Sequence, residues 1–354
     1  MSIASRFDKP ADFPAALRAF GQKPIVACHD DADGLSAGAI LLHTLRRAGH
    51  EPEPRIVGRG ENAWSAAFAA EMTARAPDGL VIADLGVASR IPAPGIPTIV
   101  VDHHVPTGHP SGALVVSGID DHPIPTSSLL AYRCAQAAGH ADGLLWLAAL
   151  GIIGDMAEGA NFPEMPEARR AYGITNLRNA VSLVNAPRRG ATGDARPALA
   201  LLMKASGPKA VLDGSLPETV ALLAAKRELQ DALAVARRVA PKIVGDVALL
   251  LLDSPCQVHP LIAQQWRGRL KDRIVIAANV GFRPGYVHFA ARTARDFDLL
   301  AFFAAHRPPG ADEQYGNGHR AASGGALRPA DWNRFVHALG FGREVEVDVG
   351  RVAA

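Results

Sequence analysis

Three short aliphatic runs in the first third of the chain end directly in acidic or histidine residues, and this feature constrains the fold most. Pro24–Cys28 (PIVAC) runs into His29-Asp30-Asp31, Gly79–Ala83 (GLVIA) into Asp84, and Thr98–Val101 (TIVV) into Asp102-His103-His104. Runs of this length rich in Val and Ile read as buried strands. Between them lie two helix-like segments, Gly34–Ala48 and Ala63–Ala76, and a further short strand, Arg55–Val57. Strand, helix, strand, helix predicts a parallel α/β sheet with both faces covered. Ligands of open α/β sheets gather at the carboxyl ends of the strands, where these Asp and His residues fall. Leu144–Ile153 reads as a buried helix that delivers Asp155 to the same edge.

Beyond Asp155 the segments NFPEMPEARRAYG and APRRGATGDARP are rich in Pro, Gly and charge and read as surface elaboration. Leu216–Ala240 is strongly helical, with Pro217 and Glu218 at its start, Arg237 and Arg238 in its last turn and Pro241 closing it. A second α/β unit follows: strand Val247–Leu252, helix Leu261–Leu270, strand Arg273–Ala277, an alternating run Gly285–Ala291 and a glycine-rich stretch at 316–325. The 354 residues correspond to roughly two domains at ~150 residues each. The expected division is a parallel-sheet catalytic domain over 1–190, a linker and connector helix over 191–242, and a smaller α/β substrate-binding domain over 243–354.

Composition narrows the function classes. With 48% hydrophobic and 20% charged residues the chain is globular rather than disordered. A net charge of +2 excludes a blanket of positive charge for nucleic acid, though not a local basic cleft. The three cysteines, Cys28, Cys134 and Cys256, are odd in number and far apart, which excludes a disulfide framework and a cysteine zinc site and fits a reducing compartment. The N-terminal stretch has no apolar core of a signal peptide. The apolar run Gly143–Gly154 is shorter than the ~18 residues a membrane span needs. A soluble cytoplasmic protein with no membrane partner is expected.

Singly, an Asp at a strand end is more often a helix cap or turn residue than a ligand. Here His29, Asp31, Asp33, Asp84, His103 and Asp155 all follow strands or a buried helix on one edge of one sheet, so they are expected to form a metal site. Mixed carboxylates and imidazoles suit Mn²⁺, with Mg²⁺ as the alternative. Two such cations held by bridging groups activate water and stabilise both oxygens in a phosphoryl displacement, with no nucleophilic Ser or Cys required.

The segments HDDADG, the isolated Asp84, VDHH and GIIGD resemble, in order and spacing, the four motifs of the DHH phosphoesterase family. GNGHRAASGG, Gly316–Gly325, is similar to the GGGH motif in the substrate-binding domain of that family's RecJ exonuclease and oligoribonuclease branches, with Asn317 where the motif has a glycine. The resemblance implies that Asp31, Asp33, Asp84, His103 and Asp155 hold two metals, with Asp84 bridging, and that His29 ligates one of them as in some branches. It also implies that His104 contacts the scissile phosphate. Asp102 and Asp30 are read as residues that orient their neighbours. In the second domain Gly316, Gly318, His319 and Arg320 form a turn suited to an anion, and Arg292 matches an arginine that holds substrate phosphate.

The resulting expectation is a Mn²⁺-dependent exonuclease or phosphodiesterase acting on single-stranded nucleic acid or short oligonucleotides. The RecJ-like resemblance implies attack from the 5′ end to release mononucleotides. Near-neutral charge and the lack of room for an appended OB-type domain favour short substrates. One alternative is a small-molecule nucleotide phosphatase or dinucleotide phosphodiesterase acting on pAp or linear dinucleotides. Another, from a different class, is a non-catalytic replication scaffold, disfavoured because every ligand position is intact.

Overall fold

The computed structural model describes residues 7–312 and 314–348, so residues 1–6 of the N-terminal stretch lie outside it. The chain divides into two compact units, Met1–Arg188 with Thr192–Ala225, and Arg189–Ala191 with Lys226–Ala354.

The first unit opens with α1 (Phe13–Leu17), then β1 (Ile25–His29), α2 (Ala32–Arg47), β2 (Glu53–Val57), α3 (Ala66–Arg75), β3 (Leu80–Ala83), β4 (Thr98–Asp102) and β5 (Ala113–Ser117). Helices follow: α4 (Ser127–Ala137), α5 (Leu145–Gly154), α6 (Glu164–Tyr172), α7 (Ile174–Val184), α8 (Ala186–Arg189), α9 (Arg196–Lys204), α10 (Pro208–Leu212) and α11 (Pro217–Ala236). The five strands form one parallel sheet in the order β2-β1-β3-β4-β5. Strand side chains alternate between its two faces. Val26, Cys28, Val81, Ala83, Ile99 and Val101 pack with α2, α4 and α5 on one side. Ile25, Ala27, Leu80, Ile82 and Val100 pack with Phe68 and Met72 of α3 on the other. Because both faces are covered, the strands carry no polar alternation.

The stretch after Asp155 departs from the sequence expectation. The segment 161–173, expected as surface elaboration, forms α6, which buries Met165 and Ala168, with Phe162 just before it, in the core cluster of α2 and α5. Helix α7 after it adds Leu177, Ala180, Leu183 and Val184 to that cluster, and α9, which starts in the segment 186–197, adds Leu199, Leu201 and Leu202. The Pro and charge content that suggests a loose segment lies at the helix starts and on their outer faces, which Pro at the first turn tolerates. Helix α11 ends at Ala236, one turn earlier than expected. The boundary between the units falls inside it, after Ala225.

The second unit contains β6 (Lys242–Val244), β7 (Val247–Leu252), α12 (His259–Arg269), β8 (Ile274–Arg283), β9 (Tyr286–Thr293), α13 (Leu299–Ala305), β10 (Asn317–His319), β11 (Ala322–Leu327) and α14 (Pro329–Ala338). Its sheet is mixed, in the order β10-β11-β9-β8-β7-β6, and only β7 and β8 run parallel. Phe289, Phe303, Trp332 and Phe335 build the core on one face, and Ile262 and Ala263 of α12 cover the other. Cys28, Cys134 and Cys256 are all buried. No helix among the described residues is long and apolar enough to cross a membrane.

Candidate metal centre

The carboxyl edge of the first sheet is built from the ends of β1, β3 and β4 and the end of α5. Asp31 is the N-cap of α2, and its Oδ1 accepts from Gly34 N at 3.0 Å, as an N-cap side chain does. Its other oxygen, Oδ2, is left for the site and lies 3.1 Å from His29 Nδ1 and 3.0 Å from Arg188 Nη1. Gly34 permits this approach, since a Cβ there would lie 2.5 Å from the His29 Cβ. Asp33, in the first turn of α2, is buried, and its two oxygens accept from the backbone N–H groups of Ser127 (2.8 Å) and Ser128 (3.0 Å).

Asp84 leaves β3 with φ 62°, the left-handed region in which Asp and Asn are tolerated better than most non-glycine residues. This turn points its carboxylate into the cluster. Oδ2 lies 3.5 Å from His29 Nδ1, Oδ1 lies 3.5 Å from His103 Nε2, and Oδ1 also accepts from Ser127 Oγ at 2.9 Å. His103 Nε2 is in turn 3.3 Å from Oδ2 of Asp155, the residue that ends α5. Three groups with ligand atoms mutually within 4.8 Å result: His29–Asp31–Asp84, Asp33–His103–Asp155 and Asp84–His103–His104. All six positions expected as ligands therefore meet, and Asp84 presents one oxygen to each side.

Crowded carboxylates in a buried site resist ionisation together. Burial and the neighbouring Asp33 push the Asp84 carboxyl up to about 8. Burial, Asp33 and Asp84 push Asp155 up to about 9. Burial favours the neutral His29 ring, but its hydrogen bonds to Asp31 and Asp84 prevail and hold the imidazolium up to about 10. A donor set that holds protons in this way fits divalent cations, which replace them.

His104 lies at the rim of the cluster, 3.9 Å from Asp84 Oδ1, with its side chain half exposed. Its Nδ1 is 3.1 Å from Asp102 Oδ1, which also accepts the His104 backbone N–H at 2.7 Å. That hydrogen bond outweighs burial and raises His104 to about 9. Asp102 is fully buried and its second oxygen accepts Gly86 N at 2.7 Å, so it orients His104 and the loop after β3. Asp30 is also buried, beside Arg188 Nε at 3.3 Å. A pocket of about 570 Å³ opens against the cluster, lined by His29, Asp84 and His104 and walled by Asn62, Trp64 and Val105. Trp64 is held in place by donating its indole N–H to Leu85 O at 2.8 Å.

In the second unit Arg292 of β9 pairs in register with Ala322, which pairs with His319 of β10, so these residues share one end of the sheet. Arg292 donates to Ala291 O at 2.8 Å and to Ser323 O at 3.3 Å. Gly316 and Gly318 have φ 78° and 130°, and a Cβ on Gly318 would lie 2.4 Å from Ala322 O. His319 is exposed, and Arg320, also exposed, lies 3.5 Å from Asp296 and 3.6 Å from Asp298.

Sequence reasoning missed Ser127, Ser128 and Asn185, the last of which accepts Ala32 N at 3.0 Å on its side chain. Arg188, in the segment APRRGATGDARP read as surface elaboration, lies against Asp30 and Asp31. A capping signal precedes α4 in Thr126, but nothing local indicates which carboxylates the helix end meets.

Packing against the centre is tight at Gly151 of α5, where a Cβ would lie 2.1 Å from Asp33 Oδ1 and 2.0 Å from Ser128 Oγ. Gly151→Ala is expected to displace Asp33, destabilise the fold by ~1–3 kcal/mol and lower divalent-cation uptake. Thermal melts and elemental analysis after dialysis check both, and unchanged uptake would remove Asp33 from the centre.

No family model and no curated protein sequence matches the chain. Solved structures do match. RecJ from Thermus thermophilus in complex with Mn²⁺ aligns over 95% of this chain at 20% identity and TM-score 0.68, and the chain spans 55% of that RecJ's length. An exonuclease RecJ bound to manganese aligns over 97% of this chain and 98% of its own at 21% identity and TM-score 0.69. The DHH domain of a member of the s1p family of ribosomal proteins aligns over 95% of this chain and 89% of its own at 14% identity and TM-score 0.62. The chain has the fold of RecJ and of this DHH domain.

Proposed function

We propose that this chain is a metal-dependent phosphodiesterase that hydrolyses short or single-stranded oligonucleotides from the 5′ end, with two Mn²⁺, or Mg²⁺ in their place. The observation that carries this reading is the disposition of Asp84, whose two oxygens face His29 and His103 at 3.5 Å each. In this reading His29, Asp31 and Asp84 hold one cation, and Asp33, His103 and Asp155 with Asp84 hold the other. When bound, two such cations lower the pKa of water and neutralise the charge that gathers on the phosphoryl oxygens. His104, kept protonated by Asp102 through Nδ1, has Nε2 left to donate to a phosphate oxygen. Arg292, Gly316, Gly318, His319 and Arg320 are assigned to a substrate phosphate or nucleotide terminus in the second unit, the fine division of domains being that given by the sequence.

The pocket against the cluster supports small substrates. Its volume of about 570 Å³ lies within the ~300–1,000 Å³ of small-ligand sites, and its lining includes no Lys or Arg, so it suits the uncharged part of a nucleotide beside Trp64. The same observation favours a second reading, hydrolysis of linear dinucleotides or of small nucleotides such as pAp.

Incubation with Mn²⁺ and 5′- or 3′-labelled DNA and RNA of two to thirty nucleotides tests both. Each phosphate contact on a single strand adds about −0.7 to the salt slope. We expect oligomers of about two to five nucleotides to be cleaved at least as efficiently per end as a 30-mer, with a shallow slope. A kcat/KM that climbs steadily with length and falls steeply with salt would favour a long-strand exonuclease. Hydrolysis of none of these substrates would overturn the reading.

A further inference from the structure

The N-terminal turn of α4 holds two carboxylates that reach it from different elements. The Ser127 and Ser128 N–H groups take both oxygens of Asp33, and the Ser127 hydroxyl donates to Asp84 Oδ1 at 2.9 Å. Ser127 is completely buried and Asp84 is 4% exposed, so water does not compete for this hydrogen bond. A carboxylate on a short side chain turns freely about its last torsion, because sp³–sp² torsions are broad. His29 attracts Asp84 from one side, and His103 from the other. The hydroxyl is a directional donor that fixes the carboxylate plane with Oδ1 toward His103 and Oδ2 toward His29.

We propose that Ser127 is a positioning residue for the cation pair, which sets the Asp84 carboxylate so that one oxygen serves each cation. The proposal rests on the two-cation reading above. Without the hydroxyl, Oδ1, the oxygen that faces His103, loses the donor that holds it there, so the cation on the His103–Asp155 side loses more than its neighbour. Ser127 acts through Asp84 and does not itself touch the substrate.

Calorimetric titration of Mn²⁺ into the full chain tests this with four proteins: wild type, Ser127→Ala, Ser127→Thr and Thr44→Val. Partners that orient a metal ligand are worth about 10–100-fold in affinity. We expect Ser127→Ala to weaken the second equivalent of Mn²⁺ by that factor and the first by less. The Mn²⁺ concentration giving half-maximal hydrolysis should rise in parallel, with kcat restored at saturating Mn²⁺. Ser127→Thr keeps the hydroxyl and should recover the second equivalent. Thr44→Val removes a hydroxyl that is equally buried but bonds only Ile40 O, and should leave both affinities in place. If Ser127→Ala binds Mn²⁺ as Thr44→Val does, or loses both equivalents alike, Ser127 only packs and the proposal fails. A wild type that takes up fewer than two equivalents overturns the two-cation reading, and this assignment with it.

Discussion

Asp84→Asn is expected to lower hydrolysis by about 10²–10³-fold, the scale of losing one buried transition-state contact, while the protein stays folded. Asn is the informative substitution because residue 84 has φ 62°. Ala in that region costs ~1–2 kcal/mol of backbone strain, whereas Asn tolerates it and removes only the charge. Asp84 sits among Asp33, Asp31 and Asp155, and their mutual repulsion helps to raise the Asp84 and Asp155 carboxyls. With its carboxyl pushed up to about 8, Asp84 already holds a proton at neutral pH without cations, so Asn resembles that form and the melting temperature measured there with a chelator should hold. With Mn²⁺ present the two proteins diverge: the wild type gains stability and the variant gains little, because two cations close together repel strongly without a bridging anion. Elemental analysis after dialysis should find the manganese content reduced. Turnover like that of the wild type would overturn the two-cation assignment.

Uptake of Mn²⁺ is expected to release protons and to tighten as pH rises. Asp84, Asp155 and His29 titrate at about 8, 9 and 10, each above its ordinary value. A group whose folded pKa is raised favours the folded state fully below its unfolded pKa and loses that contribution as pH climbs through the folded value. All three groups share this sign, so a chelated sample should lose stability progressively as pH rises from the ordinary values, 3.8 for the carboxyls and 6.5 for His29, to the raised ones at about 8, 9 and 10. Cations act oppositely, since they bind the deprotonated ligands. Each site filled at one hundred times its Kd adds ~2.7 kcal/mol, so two sites add roughly 5 kcal/mol. The Mn²⁺-dependent rise in melting temperature should therefore be larger near pH 8.5 than near pH 6. Titrations in buffers of different ionisation enthalpy count the protons released. An affinity independent of pH, with no proton release, would remove these three groups from the cation site.

Much of the first unit is legible because its signals are local. β1, β3 and β4 are continuous aliphatic runs, buried on both faces, and each stops where an Asp or His begins. α2 announces itself with an Asp cap and an apolar stripe. The alternation of these elements leaves a parallel sheet as the architecture, and a parallel sheet puts the strand ends on one edge. The segment after Asp155 misleads because Pro near helix starts and Arg in their last turns resemble loop composition. What makes α7 and α9 core helices is the face they present to α2 and α5.

The residue types and their order along the chain are enough to name the six positions of the candidate centre, since strand ends carry them without help from distant sequence. Their geometry is decided elsewhere. The orientation of Asp33 and Asp84 depends on Ser127 and Ser128, more than 90 positions from Asp33. The charge on Asp30 and Asp31 is balanced by Arg188, which reaches them from α8. Composition places no constraint on such pairings, because a hydrogen bond or ion pair is set by the final packing of helices and not by neighbours along the chain. The sequence therefore specifies which groups are available at the sheet edge, and the tertiary fold specifies which oxygen of each faces inward.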